Sequence, residues 1–119
     1  GIITTVAGSG QLPTNSATAE GVKDGGDARD ASLFYPHDVA VDAADNIYIA
    51  DSSNQRIRKV IKATNIITTI AGDGTIGNTG IGGDASTARL NWPKGVAVDG
   101  NGVVYISDTL NHTIKKLVP

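Results

Sequence analysis

The most constraining feature of this 119-residue sequence is an internal repeat. Residues 25–61 align without gaps with residues 82–118, a constant spacing of 57, and 17 of the 37 aligned pairs are identical. Self-similarity at a fixed spacing indicates a repeat architecture, in which each copy is one supersecondary unit that cannot bury its apolar surface alone. The content of one copy therefore predicts the fold class.

Each copy contains three short apolar runs separated by turn-forming residues. In the first copy the runs are HDVAVD, NIYIAD and QRIRKVIK, and the segments between them are rich in Ala, Asp, Ser and Asn. Such runs are typical of β-strands bounded by turns. After the first copy, IITTIAG adds a fourth strand. We therefore predict an all-β chain of β-propeller blades, each a sheet of four antiparallel strands, a to d from the axis outwards.

The two copies resemble NHL repeats, a family of β-propeller blades. The resemblance rests on PHDVAVDAADNIYIADSSNQRI, which begins at Pro36, and on its second copy, which begins at Pro93. Asp38 stands where the family pattern has Gly, and Thr113 stands where it has Arg. The resemblance implies a ring of about four to eight blades. A two-blade chain would then be a natural fragment, or an engineered or ancestral-type propeller subunit.

The repeat and the resemblance predict five segments. They are an outer (d) strand that completes a blade of a neighbouring subunit (1–8), a long inter-blade connection (9–36), blade 1 with strands a to d (37–72), a second long connection (73–93) and blade 2 with strands a to c (94–119).

The opening segment GIITTVAG nearly repeats NIITTIAG, which lies 64 residues later and supplies the d strand of blade 1. Blade 2 has no d strand of its own in this division. We therefore expect an inter-subunit strand formed by Ile2, Ile3, Thr4, Thr5 and Val6. Head-to-tail contacts of this kind close into cyclic oligomers when the rotation fits. A trimer, with six blades, is the favoured assembly, and two or four chains would give four or eight blades.

Few residues qualify as functional candidates. His37 and Lys94 each begin an a strand, so we place them at the rim of the central channel. A threefold set of His37 imidazoles could hold a zinc-like ion, but the nearby Lys94 side chains would repel it, so we expect no metal and no cofactor. A structural role in the blade turns is predicted for Asp51, Asn54, Arg56, Asp108 and Asn111, because Asp and Asn accept backbone hydrogen bonds in turns.

Composition excludes several classes of partner. The chain has no cysteine, a formal net charge of −2 and no long apolar run, so disulfides, Cys-type zinc sites and a membrane partner are not expected. Basic residues of the c strands could form a nucleic-acid surface, but we interpret them as a solvated blade face, and no nucleic-acid partner is expected. These residues are Arg56, Arg58, Lys59, Lys115 and Lys116.

The sequence therefore predicts a non-catalytic NHL-type propeller module. It would assemble with copies of itself by strand exchange between chains and serve as an interaction or structural scaffold, with a further protein as a possible partner. The resemblance leaves two alternatives open: a propeller hydrolase or lyase with a metal in the channel, and an RNA-binding NHL domain. A ring of identical two-blade chains would contain only two kinds of inner strand, HDVAVD and KGVAVD, and would offer few different side chains for an asymmetric active site. We therefore predict that the protein is not an enzyme.

Overall fold

Seven strands in two antiparallel sheets make up the computed structural model, which describes all residues from 1 to 119. The first sheet contains β1 (Pro36–Val41), β2 (Ile47–Asp51), β3 (Arg56–Val60) and β4 (Ile67–Ala71), and the second contains β5 (Pro93–Val98), β6 (Val104–Asp108) and β7 (Thr113–Leu117). In both sheets, strands adjacent in sequence are adjacent in space. The all-β prediction and the predicted strand order are confirmed.

The helices are single 3-10 turns, at Ala28–Asp30, Ser52–Asn54, Ala85–Thr87 and Thr109–Asn111. Two of them begin after an aspartate whose side chain accepts a backbone N–H bond: Asp27 from Arg29 and Asp84 from Ser86. This is the usual way to satisfy a free N–H at the start of a helical turn. None of these turns approaches the length or apolar content that a membrane-crossing helix requires.

The two sheets pack face to face around one apolar core. Strand β2 directs Tyr48 and Ala50 towards blade 2 and Ile49 to the opposite side, as the alternation of a strand requires. The core contains Tyr48, Ala50, Ile57 and Ala71 from blade 1, Val96, Val104 and Ile106 from blade 2, and Leu90 from the connection that precedes blade 2. Strands β1 and β5 lie side by side, so the first strands of both sheets share one edge of the molecule. The sheets are therefore stacked as consecutive blades.

The outer strand β4 lies in a slot between β3 and the long connection that precedes blade 1. Ile67 pairs with Val60 on β3, and its backbone also exchanges hydrogen bonds of 2.7 and 3.1 Å with Gly25 and Gly26. The Ile67 side chain is fully buried. Its apolar neighbours in this second cluster are Ala28, Ala31, Ile49 and Val60. The glycine-rich connection thus forms one wall of the slot.

Residues 1–8 form no strand within the single chain, and Ile2 and Ile3 are 95% and 97% exposed. The backbone at Gly8, at the end of this segment, is nevertheless held by a hydrogen bond. Gly8 donates a 2.8 Å hydrogen bond to the carbonyl of Ala28, just as Gly72, at the end of β4, donates a 3.0 Å bond to the carbonyl of Ala85. The opening segment is therefore joined to the connection before blade 1 in the same way that β4 is joined to the connection before blade 2. Its role as a strand of a neighbouring subunit stays a prediction.

The turn at Gly72 gives a test of this backbone geometry. Its φ is +92°, and a Cβ added there would lie 2.2 Å from the Gln55 carbonyl oxygen. We expect Gly72→Ala to lower the free energy of unfolding by about 1–3 kcal/mol, since both the clash and the positive φ penalise a side chain. Gly100→Ala is the control, because that Cβ would meet no atom within 4 Å. Urea unfolding at matched protein concentration measures both, and equal losses would contradict the geometry.

Candidate functional site

The predicted blade-turn residues of blade 1 meet at a fully buried carboxylate, Asp51. It accepts hydrogen bonds from the backbone N–H of Phe34 (2.7 Å), from Asn54 Nδ2 (2.7 Å) and from Arg58 Nη1 (2.9 Å). Burial raises the pKa of the Asp51 carboxyl, and the bonds from Asn54, Phe34 and Arg58 act in the opposite direction. Asp51 thereby ties strand β2 to the long connection and to strand β3.

Blade 2 repeats this arrangement around Asp108, with lysine in place of arginine. Asp108 accepts from the backbone N–H of Asn91 (2.7 Å), from Asn111 Nδ2 (2.7 Å) and from Lys115 Nζ. The carboxylate is fully buried, whereas the Lys115 side chain is 14% exposed. Both predicted Asp–Asn pairs therefore lie in the turn that follows the second strand of a blade, where they make structural contacts.

Arg56, the fifth predicted turn residue, lies on β3 and bonds to the connections that flank blade 1. Its guanidinium donates to the carbonyls of Ser16 (3.1 Å) and Asp73 (3.4 Å) and to Thr69 Oγ1 (3.3 Å). Burial lowers the pKa of this guanidinium. Arg56 therefore fastens the outer strand and the two long connections together.

The interpretation of Arg56 and Arg58 as part of a solvated blade face was wrong. Arg56 is 5% exposed and Arg58 is fully buried. The long connection folds over this side of β3, and Asp24 and the carbonyl of Val22 both accept from Arg58. The alternation of basic and apolar residues along β3 did not reveal this burial. A pattern within one strand cannot show that a distant connection folds over it. These two guanidinium groups are also out of reach of a nucleic-acid phosphate.

His37 and Lys94 lie at the start of β1 and β5, and both approach Trp92. The His37 ring centroid is 6.1 Å from that of Trp92, and Lys94 Nζ is 6.0 Å from the indole. Tyr35 lies 6.5 Å from the same indole, and His37 Nδ1 is 2.9 Å from Ser52 Oγ. Sequence reasoning missed the aromatic members of this cluster, although an aromatic residue precedes the proline in both repeats.

The front face of blade 1, defined by Leu33, Val39, Ile47 and Ile49, is open at Val39, which is 59% exposed, whereas Ile49 is buried. Together with Val6 and Ala7 this face lines an apolar hollow of about 380 Å³. At the spacing of 57, Val39 corresponds to Val96 and Ile47 to Val104, and both of these are buried in the core between the blades. The front face of blade 1 therefore has the composition of a surface that another blade covers.

The back face of blade 2, defined by Tyr105 and Ile114, is the opposite open surface. These side chains are 40% and 69% exposed. They correspond to Tyr48 and Ile57, which are buried against blade 2 in the core. The two open faces of the chain thus carry residues that correspond, at the spacing of 57, to those of the two faces that pack together between blade 1 and blade 2.

A third open surface is an apolar groove of about 510 Å³ along the outer side of β7. It runs between β7 and the glycines Gly82 and Gly83. Its apolar lining includes Ala71, Ile81, Ala85, Ala88, Leu90, Ile106, Ile114, Leu117 and Val118. In blade 1, the same position relative to the sheet is occupied by β4.

The blade geometry agrees with a comparison against protein families. The NHL repeat pattern matches residues 35–60 and 90–117, which cover the inner three strands of each blade. The chain is an NHL-repeat protein. The family resemblance proposed from the sequence is thereby confirmed.

Relatives of this NHL-repeat chain are much longer proteins. NHL repeat-containing protein 2 of Bos taurus is 39% identical over 89 residues, which are 73% of this chain and 12% of that protein. Its Gallus gallus counterpart is 36% identical over 110 residues, or 91% of this chain and 14% of that protein. The chain therefore spans only about an eighth of the length of these relatives.

Solved structures show the same fold. A protein of unknown function from Bacteroides thetaiotaomicron superposes with a TM-score of 0.70 at 26% identity, over 78% of this chain and 23% of that one. An auxiliary nutrient binding protein from the same organism gives a TM-score of 0.60 at 26% identity, over 77% of this chain and 24% of that one. Both are matched over about a quarter of their length.

The buried ion pair of blade 1 gives a second prediction. Arg58→Ala would leave Asp51 buried without its cation, so we expect the free energy of unfolding to fall by about 3–5 kcal/mol. Lys59→Ala is the matched control, because Lys59 is the next residue on β3 and lies 5.2 Å over the Tyr48 ring. It should cost about 1 kcal/mol or less. Urea unfolding at equal concentration separates the two, and a similar loss in both variants would refute a dominant role for the pair.

Proposed function

We propose that this chain is a non-catalytic NHL propeller module that assembles with copies of itself into a closed ring and serves as an interaction or structural scaffold. Three chains give six blades, and each chain lends its opening strand to the next. The observation that carries the proposal is the correspondence between the two outer faces of the chain and the two halves of its internal interface. A natural or an engineered origin leads to the same assembly.

The outer faces are unfavourable in a single chain. Val39 is 59% exposed and Ile114 is 69% exposed, whereas their counterparts Val96 and Ile57 are 6% and 0% exposed. Burial of apolar surface is favourable by about 25 cal/mol per Å². Because the front face differs from the back face, the contact between copies is head to tail, and a closed ring leaves no such face open.

Polar contacts between the blades support the same pairing. Ser52 Oγ donates to the Pro93 carbonyl at 2.5 Å. Thr109 corresponds to Ser52, so it can donate in the same way to Pro36 of the next copy. One contact has no counterpart: Asp38 Oδ2 accepts from the backbone N–H of Val96 at 3.0 Å, but the residue that corresponds to Asp38 is Gly95.

No observation favours the alternative functions. Within a single chain, no three His, Cys, Asp or Glu side chains come together in a form that could hold a metal ion. Two of the arginines that could have formed an RNA-binding face, Arg56 and Arg58, are buried in hydrogen-bonded networks. A scaffold role uses the surfaces that the structure leaves open, which are apolar blade faces.

The mass of the purified chain in solution tests the assembly directly. Size exclusion coupled to light scattering should give three times the chain mass of 12.2 kDa, at a concentration where circular dichroism shows a folded β protein. Two or four chains would revise the number of blades and keep the ring. A folded monomer at tens of micromolar would refute self-assembly.

Two variants test which surface the copies of the chain use to associate. Tyr105→Asp places a charge on the back face of blade 2, outside the groove beside β7, and should convert the assembly to monomer, because an unpaired charge is costly to bury. Asn101→Asp is the control, since Asn101 is exposed in the turn between β5 and β6 and its counterpart in blade 1, Ala44, is exposed as well. It should leave the mass unchanged. Equal behaviour of the two variants in light scattering would contradict the proposed interface.

A further inference from the structure

We infer that the groove beside β7 takes residues Ile2–Val6 of a second copy as its outer strand, with Ile3 seated in the apolar pocket of the groove. The inference rests on the proposed assembly and deepens it, because it assigns the occupant, the pocket and the register. In blade 1, β4 already fills the equivalent slot.

The pocket is the first line of support. In blade 1, Ile67 is fully buried, and Ile3 corresponds to it at the spacing of 64 that relates the two IITT segments. The neighbours of Ile67 are Ala28, Ala31, Ile49 and Val60. Their counterparts at the spacing of 57 are Ala85, Ala88, Ile106 and Leu117, and all four line the groove. The groove therefore offers the same type of apolar surroundings to an isoleucine.

The backbone of the groove is the second line of support. The two hydrogen bonds that hold Ile67 to the connection involve the N–H of Gly25 and the carbonyl of Gly26. The corresponding groups, the N–H of Gly82 and the carbonyl of Gly83, have no hydrogen-bond partner within the chain. Open backbone groups beside an unpaired strand edge are a template for a further strand.

The opening segment lies on the side of blade 1 that faces away from the groove of its own chain. Ala7 packs against the apolar cluster that contains Ile49, on the side of blade 1 that faces away from blade 2. The groove lies on blade 2. With Gly8 bonded to Ala28, residues 2–6 project from blade 1 towards the position of a preceding blade. In a head-to-tail ring, that position belongs to blade 2 of the next chain.

The register follows from the pairing of β3 with β4. Val60 lies opposite Ile67, and Lys59 lies opposite Thr68. The same pairing on β7 places Leu117 opposite Ile3 of the second copy, and Lys116 opposite its Thr4. A shift by one residue would turn Ile3 out of the pocket, because strand side chains alternate between the two faces.

Disulfide trapping tests this register, and the chain has no cysteine of its own. The variant with Lys116→Cys and Thr4→Cys should form disulfides between chains under mild oxidation, because directly opposed strand residues have Cβ atoms about 4.5–5.5 Å apart, close to the span of a disulfide. Cross-links at every junction would give a covalent ring on a non-reducing gel. The control combines Lys116→Cys with Thr5→Cys, which points to the other face, and it should stay uncross-linked.

Two variants that each add one negative charge to the opening segment test the pocket. A substitution at Ile3 should not disturb the single chain, in which this residue is almost fully exposed. Ile3→Asp should weaken association by roughly 100-fold or more, since it places a carboxylate where Ile67 is buried in blade 1. Thr4→Asp should change it by less than about threefold, because the corresponding Thr68 is exposed. Sedimentation velocity over a dilution series measures both.

The outcomes distinguish this inference from the proposed function. A ring that forms without the expected cross-link, and with equal association of the Ile3→Asp and Thr4→Asp variants, overturns the groove assignment and leaves the ring intact. A folded monomer of the unmodified chain overturns both. Cross-linking in the Thr4 variant alone, together with weakened association of Ile3→Asp, establishes occupant and register.

Discussion

The architecture depends on one constraint: each blade is apolar on both faces. In β2, Tyr48 and Ala50 point into the core shared with blade 2, while Ile49 points the other way into a second apolar cluster. A soluble sheet can expose one face only if that face is polar. Blade 1 covers one face with blade 2, and the remaining open faces at Val39 and Ile114 follow from the same alternation.

The second level of organisation consists of buried charges that bind connections to strands. Arg58 uses its whole guanidinium fork, donating to Asp51, Asp24 and the carbonyls of Val22 and Ser32. Its counterpart Lys115 has a single ammonium, which donates to Asp108, Asn78 and Thr113. Arginine and lysine are therefore not equivalent here, because only the planar fork can hold two acidic groups and two carbonyls in fixed directions. The longer connection of blade 1 supplies the extra acceptors.

Periodicity and turn residues were enough to predict the strands, because those signals lie within a few neighbouring residues. The Asp51–Asn54 and Asp108–Asn111 pairs were likewise visible, since each joins residues three apart. The burial of Arg58 was not, because its cover comes from residues up to 36 positions away. The meeting of His37 with Trp92 also depends on how one blade stacks on the next. Local pattern specifies the blade, and packing between segments decides which polar groups are buried.

In the ring proposed above, the bond from Val96 to Asp38 would make the junctions between blades unequal. A junction within a chain has this contact, whereas a junction between chains presents Gly95 at that place and lacks it. Successive blade junctions then alternate between a reinforced kind and a plainer kind, so the symmetry of the ring follows chains and not blades.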